Sequence, residues 1–251
     1  MTSKLVPFAL SALVLAFLPA CAGPSPAPAP SPTPEVVIHP APKPPKYIAD
    51  DLLPEFRKKL ELPPAAGSTA QKADEEELRM RQKTRSTEDC RRAESEVHVS
   101  LANFFGGDKL ITDEQVATLA DDFEQFRNDT DYYIQALKKA FPRPRPFAYI
   151  QGLEPCVPRE VTGAYPSGHA AIARLYALVL TDLYPKQKKA FAARAEVIAT
   201  DRVTSGMHHP TDVRAGKKLG ELVYAKLRVS PAYRAWLKSK RAAPRMKPPA
   251  R

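Results

Sequence analysis

The sequence predicts an all-α protein, a single helical-bundle domain behind an extended N-terminal segment, and three observations carry that reading. Beyond about residue 50, apolar side chains recur at helical spacing in segments that open on capping residues and close on proline. Segments with the alternation of a half-buried strand are hard to find. The 27 prolines are unevenly spread, ten of them between Pro24 and Pro45, so a folded body is joined to a linker that cannot bury a core.

In chain order, residues 1–21 read as an export signal. Lys4 supplies positive charge and Leu5 to Leu18 form an apolar run broken by Pro7 and Ser11, short of the roughly 20 apolar residues a membrane helix needs. The run ends in Leu18-Pro19-Ala20-Cys21, similar to the lipobox of bacterial lipoproteins, which would make Cys21 a lipidated first residue and a membrane attachment. The alternative is an ordinary signal peptide cleaved after Ala20 or Ala22. Residues 22–46 form the Pro-rich linker. A polar helical stretch is expected from about Thr69 to Glu96, then helices over Asp113 to Phe126 behind the capping Thr112, and Thr130 to Phe141. After a loop rich in proline and glycine come helices over Ser167 to Tyr184, Gln187 to Thr204 and Thr211 to Leu227. The catalytic domain is thus placed over residues 47–237, followed by a solvated basic tail, 238–251.

The formal net charge of +10 lies partly in that tail, so no nucleic-acid partner is expected; charge of this sign concentrates anionic substrates such as phosphate esters. With Cys21 removed or lipidated, Cys90 and Cys156 are left as a pair in an oxidising compartment. A disulfide between them and two separate buried thiols are both open readings.

Three clusters suit a tetrahedral anion. In the first, Lys138 is followed at the seventh position by Arg145-Pro146; arginine offers a planar fork of donors to phosphate oxygens and lysine a mobile point charge. In the second, Tyr165-Pro166-Ser167-Gly168-His169 precedes an apolar helix, so Ser167 is a natural N-cap and the first-turn amides face a ligand, with Gly168 allowing close approach. His169 is a candidate general acid. The third runs from Arg202 through His208-His209-Pro210-Thr211-Asp212. If Asp212 folds back onto one nitrogen of His208, the other is free to attack phosphorus. The adjacent histidines do not imply a metal, because no Cys/His or carboxylate cluster supplies further ligands.

In order and internal spacing these clusters resemble the three-part signature of the type 2 phosphatidic acid phosphatase and vanadium haloperoxidase superfamily, and within it the bacterial class A non-specific acid phosphatases. The resemblance covers about Tyr47 to Leu227, with the Leu-Pro-Pro stretch near Leu62 and the Gln71 to Asp74 region also similar to the family, and implies a helical bundle of the acid phosphatase/vanadium haloperoxidase type. It also implies a metal-independent, cofactor-free phosphomonoesterase of broad specificity that works through a phosphohistidine. His208 would be the nucleophile and His169 the acid, with Asp212 orienting His208; Lys138, Arg145, Ser167, Gly168 and Arg202 would bind phosphate. Because the nucleophile must be neutral and the acid protonated, the rate should be bell-shaped with a mildly acidic optimum. The chain departs from the pattern at Asp201, where the family has Ser, and at His209, where relatives often carry an aromatic residue. A carboxylate at 201 is expected to pair with Arg202 or to weaken anion binding. Two other activities use the same signature, a lipid or isoprenoid phosphate phosphatase and a vanadate-dependent haloperoxidase. A periplasmic phosphate-binding lipoprotein is the non-enzymatic alternative. Export to the periplasm or attachment to the cell envelope follows from residues 1–21.

Overall fold

The computed structural model describes residues 43–106 and 110–242, so Cys21, the export signal, most of the linker and the last nine residues lie outside it. Among the described residues there are helices and no strands: α1 (Leu53–Lys59), α2 (Thr69–Thr84), α3 (Thr87–Ser95), α4 (Asp113–Ala140), α5 (Gly168–Leu183), α6 (Lys188–Thr204), α7 (Pro210–Val229) and α8 (Pro231–Ala242). None is long and apolar enough to cross a membrane.

Capping sets several starts. Ser68 accepts from Gln71 N ahead of α2, and Ser86 forms a reciprocal box with Asp89 that opens α3, so the single polar stretch expected from the sequence breaks at Arg85. Thr112 and Gln115 form a similar box at α4. The break expected near Asn128-Asp129-Thr130 is absent: α4 runs through as 28 residues. Side-chain hydrogen bonds absorb those poor helix formers: within α4 Thr130 Oγ1 donates to Phe126 O one turn back (2.7 Å), and across the fold the Asp129 carboxylate accepts from the backbone of Lys46 and Tyr47 at 2.9 and 2.7 Å.

α5 is buried along most of its length and packs between α6 and α7. Two glycines one turn apart make the α5–α7 approach possible. A Cβ at Gly216 would lie 2.3 Å from Ser167 O, and one at Gly220 would lie 2.3 Å from Ala171 O, so no larger residue fits without moving a backbone. This contact brings the start of α7 against the start of α5, where two of the three clusters reside. Around it, Phe123, Phe126, Tyr176, Tyr233 and Trp236 form an aromatic core of largely edge-to-face pairs.

The expected solvated tail begins later than residue 238. α8 continues to Ala242 because Lys240 pairs with Asp122 at 2.7 Å and the Arg241 guanidinium donates to Asp182 O, anchoring its last turn. Cys90 of α3 and Cys156 are joined by a disulfide, with Cα atoms 5.7 Å apart, which ties α3 to the loop that precedes α5.

Candidate active site

The first cluster leaves α4 at its C-terminal end. Lys138 sits in the last turn and donates to Gly163 O; burial first, then the nearby Arg145, lowers its pKa to about 7. Beyond Pro142 the chain is extended, and Arg145 is buried with every nitrogen engaged. Nε donates to Thr162 O (2.8 Å), Nη1 to Met207 O (3.0 Å) and to His208 Nε2 (2.7 Å), and Nη2 to Thr162 Oγ1 (3.1 Å) and to the Glu160 carboxylate.

An arginine guanidinium cannot accept, so His208 Nε2 must present its lone pair, and the ring proton belongs on Nδ1. Burial first, then Arg145, pushes the His208 pKa well below the usual histidine value, which keeps the ring neutral. The expected Asp212 contact differs from the sequence reading. Asp212 Oδ2 lies 3.7 Å from His208 Nδ1, beyond hydrogen-bond length, but 2.8 Å from His209 Nδ1 and 2.9 Å from His209 N. The reason is local: His209 caps α7 and Asp212 is its third residue, so the two close a capping box, while Arg143 Nη1 holds the other carboxylate oxygen at 2.5 Å. Burial raises the Asp212 pKa, yet its contacts to His208 and His209 outweigh it and hold the carboxyl well below its usual range. His209 Nε2 in turn meets Tyr149 Oη at 2.9 Å, with the two rings stacked.

The second cluster is placed by the α5–α7 contact. Ser167 caps α5, is fully buried, and its amide donates to Asp212 O at 3.0 Å. A Cβ on Gly168 would meet Ile134 at an ordinary 3.6 Å, so packing does not require glycine there. His169 is buried in the first turn, with Nε2 3.2 Å from Val97 O. Burial, then Arg202, lowers its pKa to about 3.

Arg202, near the end of α6, is the most exceptional side chain. It is 1% exposed, its Nη2 reaches Glu160 Oε1 at a long 3.4 Å, and its Nε and Nη1 have no hydrogen-bond partner among the described residues. Buried donors without partners are rare in folded proteins, and on a guanidinium they mark a place for an anion. Asp201 does not pair with Arg202. It accepts two hydrogen bonds of 2.7 Å from Arg92 of α3, because successive helical residues point to different faces.

The structure therefore brings Lys138, Arg145, Ser167, His169, Arg202, His208 and Asp212 together. Sequence reasoning missed Glu160 and Arg143, and it placed Asp74 within a family-like region without assigning it a role. Arg143 lies between Lys138 and Arg145, and nothing in the sequence separated its role from that of Arg145. Glu160, an isolated loop carboxylate, carried no motif at all. Among the described residues, no group of three or more His, Cys, Asp or Glu is placed to hold a metal ion.

The helical bundle is of the acid phosphatase/vanadium haloperoxidase type, and its buried cations converge on one nitrogen of His208. A bacterial vanadium-dependent iodoperoxidase has the same fold at a TM-score of 0.51 and 16% identity, covering 72% of this chain and 54% of that one. Residues 130–236 match the PAP2 superfamily. Among named relatives, a non-specific acid phosphatase of Salmonella typhimurium is 36% identical over 108 residues, covering 41% of this chain and 43% of that protein. One of Providencia stuartii is 30% identical over 112 residues, covering 43% and 45%. The match thus spans less than half the length of these relatives.

Proposed function

We propose that this protein hydrolyses phosphate monoesters with broad specificity through a phosphohistidine on His208, without a metal, and that it does so outside the cytoplasm. The observation that carries the reading is Arg202: a buried guanidinium with two donors unpaired, beside Arg145 and Lys138, around the nitrogen of His208 that holds a lone pair.

In the first step His208 Nε2 forms a bond to phosphorus as the bond to the leaving oxygen breaks. The electron pair departs on that oxygen, which takes a proton from His169. Water then attacks phosphorus and gives a proton back to His169 as the bond from phosphorus to His208 Nε2 breaks, releasing inorganic phosphate and restoring the His208 lone pair. Negative charge on the transferring group is met by Arg145, Arg202, Lys138 and the start of α5, inside a site where burial strengthens each contact. His208 Nδ1, unpartnered at 3.7 Å from Asp212, needs only a small shift to reach the carboxylate once the ring becomes cationic on attack. Export, and attachment through a lipidated Cys21, complete the proposal. Its partners are small phosphorylated substrates rather than nucleic acid.

The decisive experiment is a hydrolysis panel of a chromogenic aryl phosphate, nucleotides and phosphatidate, with and without chelator. The proposal expects turnover of the soluble monoesters, indifference to chelator and inhibition by vanadate. Turnover of phosphatidate alone would make it a lipid phosphatase, loss in chelator a metal-dependent one, and iodide or bromide oxidation with vanadate and peroxide a haloperoxidase.

A further inference from the structure

Glu160 bridges the guanidiniums of Arg145 and Arg202. Among the described residues its carboxylate has two polar partners, both belonging to the clamp: Oε2 accepts from Arg145 Nη2, and Oε1 accepts from Arg202 Nη2 at 3.4 Å. Burial raises the Glu160 pKa, but Arg145 and Arg202 outweigh it and keep the carboxylate ionised, with His169 and His208 also facing it. The segment around it, residues 153–167, contains neither helix nor strand. Its backbone is nevertheless fixed on both sides, by the Cys156 disulfide before it and by Arg145 Nε on Thr162 O after it. Val161 is 67% exposed and Arg159 is also exposed, so the Glu160 side chain, itself 21% exposed, has solvent beside it to turn into.

A carboxylate is a poor fit to this clamp. It leaves Nε and Nη1 of Arg202 without partners, which a tetrahedral anion with more oxygens can fill. Yet some anion has to be there, since two buried guanidiniums without a counter-charge are strongly unfavourable.

We propose that Glu160 is the resident anion of the clamp, bridging Arg145 and Arg202 in the free protein, and that a phosphoryl group binds by expelling it. This rests on the reading that Arg145 and Arg202 hold the phosphoryl group. Binding is then an exchange of one anion for another by rotation of a single side chain. Only molecules with Glu160 turned out can bind, so apparent affinity equals intrinsic affinity reduced by the fraction in that state. Glu160 would weaken binding of every oxyanion by one common factor.

The test is calorimetric titration of inorganic phosphate, and separately of vanadate, into the wild-type protein, Glu160→Gln and Glu160→Asp. Removing the charge should tighten both ligands by about tenfold or more and by the same factor, as expected when a competing closed state is abolished. Glu160→Asp keeps the charge but draws it back from Arg202, so it should fall between and is the variant to read should Glu160→Gln not fold. Phosphate should also raise the melting temperature of Glu160→Gln more than that of the wild type, because its guanidiniums lack a counter-charge when empty. Unchanged or weaker phosphate binding in both variants, with the wild type binding phosphate and hydrolysing esters, overturns the role of Glu160 alone. If the wild type neither binds phosphate nor hydrolyses a phosphate ester, the phosphatase reading falls and this proposal with it.

Discussion

Arg143 and Arg145 stand two residues apart, both are nearly buried, and they do opposite things. Arg143 is surrounded by fixed partners from two helices: Asp212 at 2.5 Å and Thr211 at 2.6 Å from α7, Asp74 at 3.0 Å and Gln71 from α2. Thr211 also donates to Asp74, closing the network. Arg145 has two backbone carbonyls, the Thr162 hydroxyl, one histidine lone pair and a single loop carboxylate it shares with Arg202. A buried cation neutralised by immovable carboxylates binds helices together. One neutralised by a carboxylate able to leave can bind a ligand. What separates the two is whether the counter-charge is built into the fold, and burial alone does not reveal it.

The largest effects should come where the ligand face meets chemistry. His208→Ala should abolish formation of an acid-labile phosphoenzyme and lower turnover by several orders of magnitude, since removing one member of a catalytic unit costs nearly as much as removing all of it. His209→Ala tests the other side of the comparison, because His209 belongs to the structural network through Asp212 and Tyr149. It should retain phosphoenzyme formation and lose stability. If labelling survives in His208→Ala and vanishes in His209→Ala, the division between the two faces is wrong.

The arginines should part in the same way. Arg145→Ala should cost about 10²–10³ in kcat, the usual consequence of losing one preorganised donor to a developing charge, with a smaller effect on unfolding. Arg143→Ala should cost about 3–5 kcal/mol in denaturant unfolding, because it strands Asp74 and Asp212 as buried unpaired carboxylates. Equal destabilisation by the two would erase the distinction. Reducing the Cys90–Cys156 bridge comes next, with an expected loss of roughly 2–4 kcal/mol, seen as a lower melting temperature in reductant. Alkylation of both thiols in the oxidised protein would remove the bridge from the account.

The ligand face was largely legible in the sequence because each of its residues sits at a fixed offset from a helix end: Lys138 at the close of α4, Ser167 to His169 at the opening of α5, Arg202 before the turn into α7. Helix ends leave capping and proline signals that a sequence displays. The structural face was legible only in part: the Gln71 to Asp74 region resembled the family, but its pairing joins α2 to α7 across more than a hundred residues, and Asp74 lies in a helix dense with other acids. Asp212 shows the same limit at short range. Its spacing from His208 satisfied the motif, but the capping geometry of His209 claimed the carboxylate, and spacing cannot rank two acceptable partners. The continuous α4 likewise depended on Asp129 finding the backbone of residues 46 and 47, a contact with no local signal.

The smallest effect concerns protons rather than rates, and it probes the ligand face in the free protein. Burial, reinforced by Arg145, lowers the Lys138 pKa to about 7, and burial with Arg202 lowers that of His169 to about 3. Both groups favour their neutral forms more than they would in water, Lys138 because it is desolvated beside other cations. A phosphate dianion placed among them reverses the local field and raises both values, so at a given pH more protons are bound in the complex than in the free protein. At about pH 8, where inorganic phosphate is mostly the dianion, free Lys138 is largely neutral and phosphate binding should take up most of one proton. Calorimetry in buffers of different ionisation enthalpy reads that number directly. Lys138→Met should remove most of the uptake and His169→Asn a smaller part. As the pH is lowered toward 6, Lys138 is already charged before phosphate arrives, so its share should shrink. Arg143, paired in every state, has no place in this exchange, and Arg143→Lys should leave the proton count unchanged. Proton release on binding, or uptake that Lys138→Met does not alter, would mean that the anion does not enter beside Lys138.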